Sequence, residues 1–162
     1  MPQWVDDVKS AIKTRLEAAL PTQIAAIDAE RSVDEFGATP VPVEYWIGDK
    51  ELPNTLPCGE IICTASTKQS QDESPSRWQH NITVVMTIAG TDEQMLDAQI
   101  TRLMLATMLV LDGWSLYAGG VLNSDGLLKT GNITYDLVQP SDIDGRPFVR
   151  TGLIEMTTSQ ML

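Results

Sequence analysis

The fold is decided by one stretch of sequence, residues 81–113, which reads NITVVMTIAG-TDEQMLDAQI-TRLMLATMLV-LDG. The opening residues alternate between apolar and polar side chains, which predicts a half-buried antiparallel strand over residues 81–88. Thr83 and Thr87 belong to the more polar face of this strand. The apolar side chains that share the other face are Ile82, Val84, Met86 and Ile88.

The second part of this stretch predicts a long helix over residues 94–111. Thr91 and Gln94 have the spacing of a capping box, and Gly113 suits the left-handed residue that follows a helix. The apolar surface of the helix is too wide for one face. One stripe, which we assign to the core of the chain, contains Leu96, Ile100, Leu103 and Val110, and the other contains Met104, Met108 and Leu111.

Two interpretations of the second stripe are open. If the helix lies between the sheet and the N-terminal helices, both stripes are buried inside the chain. Alternatively, the second stripe packs against another subunit, and flexible Met side chains suit such an adaptable contact. On that interpretation, the candidate residues of a subunit or tail interface are Met104, Met108 and Leu111.

The residues before the central strand predict two helices and an edge strand. Apolar residues at spacings of three and four predict a helix over residues 3–19. Pro21 is expected to end this helix and to open a second, short helix that runs to about Arg31. Residues 41–47 then alternate, and Pro42, which has no N–H, restricts them to an edge strand or an extended arm. Because unpaired edge strands are natural contact surfaces, the interface candidates also include Val41, Val43 and Tyr45.

The rest of the sequence predicts β structure. Residues 60–65 predict a strand, and a polar segment at about 66–77 predicts a mobile loop that joins this strand to the next as a hairpin. Alternation at Ile133, Tyr135 and Leu137, followed by residues 148–158, predicts a second hairpin. Residues 1–162 therefore predict a single α+β domain, with a mostly antiparallel sheet of four to five strands and helices packed on one face.

Charge and composition restrict the partners. The net charge is −11 and the pI is near 4.3. Proteins that bind nucleic acids neutralise phosphates with Lys and Arg, so we expect no sequence-specific nucleic acid partner. The same argument holds for an anionic membrane surface, and the longest apolar run, residues 103–111, is too short to span a bilayer.

Few residues offer catalytic or metal-binding chemistry. The single histidine, His80, has no acid or nucleophile near it in sequence, and we expect it to be exposed or at a strand edge. Cys58 and Cys63 lack the second pair of ligands that a zinc site needs. Residues 142–145 read as a turn, because the glycine comes too early for a calcium loop. We therefore expect no enzyme activity, no catalytic residues, no metal and no cofactor.

The order of elements resembles the tail terminator, or tail-completion, proteins of long-tailed bacteriophages. The resemblance is carried by residues 5–12 leading to Leu20 and Pro21, by residues 41–45, and by the 81–88 strand that leads through residues 91–93 into the 94–111 helix. The polar insertion at 66–76 departs from the family pattern.

This resemblance implies a structural virion protein in the tail or neck that is assembled in the cytoplasm of the host bacterium. It implies a homohexameric ring that caps the tail tube, ends tube growth and forms the head–tail joining surface. The implied partners are further copies of the chain, the tail tube protein and a head-side connector or stopper protein. It assigns no catalytic residues, because the family is structural.

Two other classes of function are open. The nearer one is another phage neck component, such as a head-completion or stopper protein. The more distant one is a small acidic ligand-binding domain or enzyme, which requires a concave pocket with converging polar groups.

Overall fold

The computed structural model describes residues 4–31, 36–48, 55–69, 75–124, 126–141 and 145–162. Within these residues the protein has two helices and a mixed, mostly antiparallel sheet of six strands, which confirms the predicted α+β class. The helices are α1 (Val5–Arg31) and α2 (Glu93–Leu111). The strands are β1 (Glu44–Ile47), β2 (Cys58–Lys68), β3 (Arg77–Gly90), β4 (Lys129–Tyr135), β5 (Gln139–Pro140) and β6 (Phe148–Met161).

The sheet is built around the pair β3 and β6. Its strand order is β1-β2-β3-β6-β4, with β5 also paired to β6. β3 and β6 are antiparallel and remain in one continuous register from the Arg77–Met161 pair to the Gly90–Phe148 pair. β1 is parallel to β2, and it lies at one edge of the sheet while β4 lies at the other.

The two helices lie on one face of this sheet. α2 contacts β3, β6 and α1, whereas α1 contacts β1 and β2. The sheet residues that face the helices include the four apolar residues predicted for the central strand, and each of them is fully buried: Ile82, Val84, Met86 and Ile88.

Glycine allows α2 to approach the sheet closely. Gly152 of β6 lies under Met104, and a Cβ atom at Gly152 would come within 2.6 Å of the Met104 Cγ. Gly90 at the end of β3 lies in the same way under Leu96. Because protein interiors are close-packed, side chains at these two positions would push the helix away from the sheet.

The first helix does not end at Pro21, so that prediction is wrong. α1 is continuous from Val5 to Arg31, and Pro21 lies inside it on the exposed side. Leu20 and Ile24, on either side of Pro21, are both buried in the main core. Burial of one apolar stripe along the whole helix outweighs the helix hydrogen bond that proline removes.

The second helix begins at a different cap from the predicted one. Asp92, not Thr91, is the N-cap residue, and its Oδ1 accepts a hydrogen bond from the Met95 N–H at 2.9 Å. A carboxylate at this position also interacts favourably with the helix dipole. Gly113 has a φ of 72°, which confirms the left-handed residue predicted after the helix.

The β2–β3 hairpin is confirmed, but its strands are longer than predicted. Ser66, Thr67 and Lys68 belong to β2 and pair with residues of β3, so the prediction that they form a loop is wrong. Strands of a hairpin pair through main-chain hydrogen bonds, which do not require apolar side chains. The polar composition of these residues therefore led to a prediction that ended β2 too early. Residues 70–74 of the predicted mobile loop and residues 142–144 of the predicted turn lie outside the described residues.

Helix α2 provides a test of the core. Leu103 is fully buried, so we expect Leu103→Ala to lower the free energy of unfolding by about 2–5 kcal/mol. Leu109 on the same helix is 51% exposed, and Leu109→Ala should change the stability by less than about 1 kcal/mol. Urea denaturation of both variants measures the difference, and equal losses would contradict the assignment of Leu103 to the core.

Candidate subunit interface

We use the name β1 edge for β1 together with the three residues before it, 41–43, which were predicted to belong to the strand but precede it. This edge carries three of the large apolar side chains that the described residues expose. Val43 is 67% exposed, Ile47 is 43% exposed and Val41 is 38% exposed. Tyr45, which was predicted to share this surface, is instead buried at 6% exposure, so its side chain is not part of the exposed surface. Its ring packs on Gly59 of β2, where a Cβ atom would lie only 2.6 Å from the Tyr45 Cδ1.

A set of hydrogen bonds holds the chain that leads into this edge. Asp28 of α1 accepts hydrogen bonds from the Thr39 N–H at 2.8 Å and from the Thr39 hydroxyl at 2.5 Å. The Gln99 side-chain amide of α2 donates to the carbonyl oxygens of Phe36 and Ala38, both at 3.2 Å. Both helices therefore fix the position of residues 36–39, and with it the start of the exposed edge.

An arginine of α2 completes this connection. Arg102 Nη1 lies 3.7 Å from Asp28 Oδ1, and its guanidinium lies 5.5 Å from the centre of the Phe36 ring. Asp28 is buried, so it needs both the hydrogen bonds of Thr39 and this positive charge. On the other side of α2, Arg150 of β6 pairs with Asp97 at 2.5 Å.

The second stripe of α2 lies mostly inside the chain. Met104 and Leu111 are fully buried in the main core cluster. Their assignment to a subunit or tail interface is therefore wrong, because α1 and the sheet together cover both stripes of the helix. Met108 is half-buried, so its role in an interface stays a prediction, and Leu109 beside it is the more exposed residue.

A second apolar surface is exposed at β4 and at residues 136–137 just after it, which together we name the β4 edge. The sequence pattern had not indicated an interface here. Leu137 is 79% exposed and Tyr135 is 39% exposed. Partial burial raises the pKa of the Tyr135 hydroxyl, so it stays neutral at physiological pH. The alternation of Ile133, Tyr135 and Leu137 predicts a strand. It could not show that this strand lies at an edge of the sheet, where it has no outer neighbour among the described strands.

The two edges have matching rows of side chains. Across the sheet, Tyr45, Gly59, Met86, Gly152 and Tyr135 are successive partners in the strand register. The neighbouring row is aliphatic throughout and consists of Ile47, Ile61, Val84, Ile154 and Ile133. The β1 edge and the β4 edge therefore end in side chains of the same kind at the same height.

His80 is the centre of a buried polar cluster, and the prediction that it is exposed or at a strand edge is wrong. It lies in central strand β3 and is 1% exposed. Its Nδ1 lies 2.8 Å from the Ser66 Oγ. Nearby, the Gln160 amide donates to Asn123 Oδ1 at 3.0 Å, and the Asn123 amide donates to the Met161 carbonyl at 3.1 Å. The cluster therefore links β2, β3 and β6 to the segment that follows α2.

Burial lowers the pKa of His80 below its usual value of 6.5, and the contact with Gln160 acts weakly in the opposite direction. The ring is therefore neutral at physiological pH.

At the C-terminal end of α2, a hydrogen bond from the Thr130 backbone N–H to Asp112 lowers the pKa of that carboxyl.

In the described part of the chain, no three His, Cys, Asp or Glu side chains come together as metal ligands. Cys58 is buried and Cys63 is half-buried. Neither α1 nor α2, the helices in the described ranges, has the length and apolar character needed to cross a membrane.

Neither a protein-family model nor a curated protein matches this sequence.

The buried His80 predicts a pH dependence of stability. Its pKa is lower in the folded chain than in the unfolded chain, so the unfolded chain binds more protons between the two values. The contribution of His80 is complete above about pH 6.5 and decreases as the pH falls below that value. We expect the unfolding free energy of the wild-type protein to fall between about pH 7 and pH 5.5, and His80→Gln to remove most of this slope.

Urea titrations of both proteins at several pH values measure the two slopes. Carboxyl groups titrate in both proteins alike, so the difference between the slopes isolates His80. Identical slopes would show that His80 is accessible to protons in the folded state and would contradict its placement in the buried cluster.

Proposed function

We propose that this protein is a structural component of a bacteriophage virion that assembles as a homo-oligomeric ring, most simply a hexamer. The ring caps the tail tube, ends its growth and presents the surface to which the head side joins. Its partners are further copies of the chain, the tail tube protein and a head-side connector or stopper protein. It acts in the tail or neck after assembly in the bacterial cytoplasm.

One observation supports the proposal more than any other. Exposed apolar side chains occur at both edges of the sheet, Val43 and Ile47 on one side and Tyr135 and Leu137 on the other. A closed ring requires two different contact surfaces on opposite sides of each subunit, since its contacts are heterologous. A symmetric dimer would need only one such surface.

The layered architecture also suits a cap. Both helices lie on one face of the sheet, so the two faces of a subunit differ in shape and chemistry. A protein that ends tube growth must match the tube on one side and offer no equivalent surface on the other. In addition, a net charge of −11 would repel DNA and keep a genome from adhering to the ring during its passage.

A second candidate function has one specific observation in its favour. The 2.8 Å contact between Ser66 Oγ and His80 Nδ1 has the residue types of a nucleophile and a general base. Serine hydrolases also orient the histidine with a carboxylate, whereas the side chain of Gln160 that lies near His80 is an amide. Labelling of Ser66 by a fluorophosphonate would favour the enzyme, and the absence of labelling agrees with a structural role.

The proposal is tested with tail tube protein from the same phage genome. Added during tube polymerisation, the purified protein should stop elongation at roughly one ring per tube and appear at one tube end in electron micrographs. Mass measurements on the capped ends should show a single closed stoichiometry. An unrelated acidic protein of similar size provides the control.

Two outcomes would contradict the proposal. Binding to the portal side of purified heads, with no effect on tubes, would favour a head-completion or stopper protein. A chain that stays monomeric both free and in the presence of tubes would exclude a ring of any kind.

A further inference from the structure

We infer that the β1 edge of one subunit pairs with the β4 edge of the next, so that the sheets of neighbouring subunits join into one continuous sheet around the ring. This inference rests on the proposed function, because it specifies the contact between subunits of that ring. The occupant of each edge is a second copy of this chain.

Strand directions permit this pairing. β1 is parallel to β2, and the pairs β2–β3, β3–β6 and β6–β4 are all antiparallel. β1 and β4 therefore run in opposite directions within one subunit. In a ring, rotation about the axis places the β4 edge of one subunit beside the β1 edge of its neighbour as an antiparallel pair, the commoner arrangement.

Backbone N–H and C=O groups at both edges are oriented outward, as pairing between two subunits requires. Gly48 donates its N–H to Ile61, and Asp136 donates its N–H to Thr151, so the even-numbered residues within β1 and β4 bond towards the interior of the sheet. Val43, just before β1, is outside this alternation, because its N–H also donates inward, to the Pro57 carbonyl. Hydrogen-bonding groups alternate in direction along a strand. The odd-numbered residues Tyr45 and Tyr135 consequently direct their backbone groups outward, and their side chains lie on the helix-covered face at both edges.

The side-chain rows define the register. Continuing the rows across the contact places Tyr45 opposite Tyr135 and Ile47 opposite Ile133. It also brings Val43, just before β1, next to Leu137, just after β4. Val43 and Leu137 are 67% and 79% exposed in the single chain, so this register covers the most exposed apolar residue of each edge. Cross-strand pairs of aromatic and β-branched residues are the favourable kind.

The same register places Glu44 opposite Asp136, which are two like charges. Directly opposed like charges weaken strand pairing, and charged side chains at edge strands oppose premature association. The contact should therefore be weak in free solution and should strengthen at high salt, which screens the repulsion. Such a contact suits a ring that completes itself on a tube and not before.

The small area of the contact also indicates that it is weak in free solution. The exposed apolar side chains at the two edges are only five, namely Val41, Val43, Ile47, Tyr135 and Leu137 in the described residues. A stable two-protein contact buries roughly 1,200–2,000 Å² in total. One edge contact is accordingly too small for a lasting dimer, whereas a closed ring gives each subunit two contacts and leaves no free edge.

Cysteine cross-linking tests the register, in a Cys63→Ser background and on rings assembled with tail tubes or at high salt. Under mild oxidation the double variant Val43→Cys/Leu137→Cys should form a ladder of disulfide-linked species up to the full ring. The comparison variant, Val43→Cys/Tyr135→Cys, shifts the pairing by two residues and should cross-link several-fold less, since disulfides need Cα atoms within about 7 Å. Val43→Cys alone should give no dimer.

Charge variants provide a second test. Asp136→Lys should strengthen assembly by about tenfold, because it replaces a like-charge pair with an opposite-charge pair beside Glu44. Val43→Asp should weaken assembly by about tenfold or more, whereas Leu109→Asp, at an exposed position on α2 and outside the sheet, should leave it unchanged. All three chains should melt as the wild type does.

The outcomes separate this inference from the proposed function. If rings form on tubes but neither cysteine pair cross-links and Val43→Asp assembles normally, the subunits meet elsewhere and only the edge pairing is overturned. Cross-linking of the shifted pair alone would overturn the register. If no ring forms under any condition, both the edge pairing and the proposed function fail.

Discussion

The close contact of α2 with the β3–β6 pair is the constraint on which the rest of the structure depends. Gly152 has no side chain, and Met104 occupies the space above it. This approach fixes the distance between the helix and the sheet. Ion pairs on both sides of α2 then fix its orientation, through Arg150 of β6 and through Asp28 of α1.

Once α2 is in place, the positions of both sheet edges follow. Gln99 of α2 and Asp28 of α1 hold the segment that leads into β1. At the other end of α2, Asp112 accepts a hydrogen bond from the Thr130 N–H at the start of β4. Hydrogen bonds from α1, from α2 and from the residue that ends α2 thus connect both edges to the same core.

Two elements could be predicted from the sequence because their apolar residues repeat with the period of a strand or a helix, and these repeated residues are the buried ones. The 81–88 strand and the long helix after it were predicted because each repeats apolar residues with its own period. Pro21 was misleading, because a local rule about proline cannot weigh the burial of Leu20 and Ile24 in the tertiary core. The end of β2 was misplaced for a related reason, since Ser66 to Lys68 pair through their main chains and give no apolar signal.

The candidate site could be predicted only in part. Val41 and Val43 were assigned to a contact surface from the position of their strand, and they are exposed. Met104 was assigned wrongly, because an apolar stripe on a helix does not reveal whether the neighbour that covers it belongs to the same chain. The β4 edge was missed, since strand order depends on long-range pairing: β6 inserts between β3 and β4.

Hydrogen exchange at the edge amides tests the central claim most directly. Within the residues that the structure describes, no strand pairs with the outer side of Tyr45, Ile47, Ile133 or Tyr135, so their amides should exchange quickly in the single chain. Assembly on tail tubes should slow exchange at both edges together, and amides in the middle of α2 should keep the same rate. If both edges exchange as quickly in the ring as in the monomer, while amides elsewhere become protected, the sheets do not join and the account of the subunit contact is wrong.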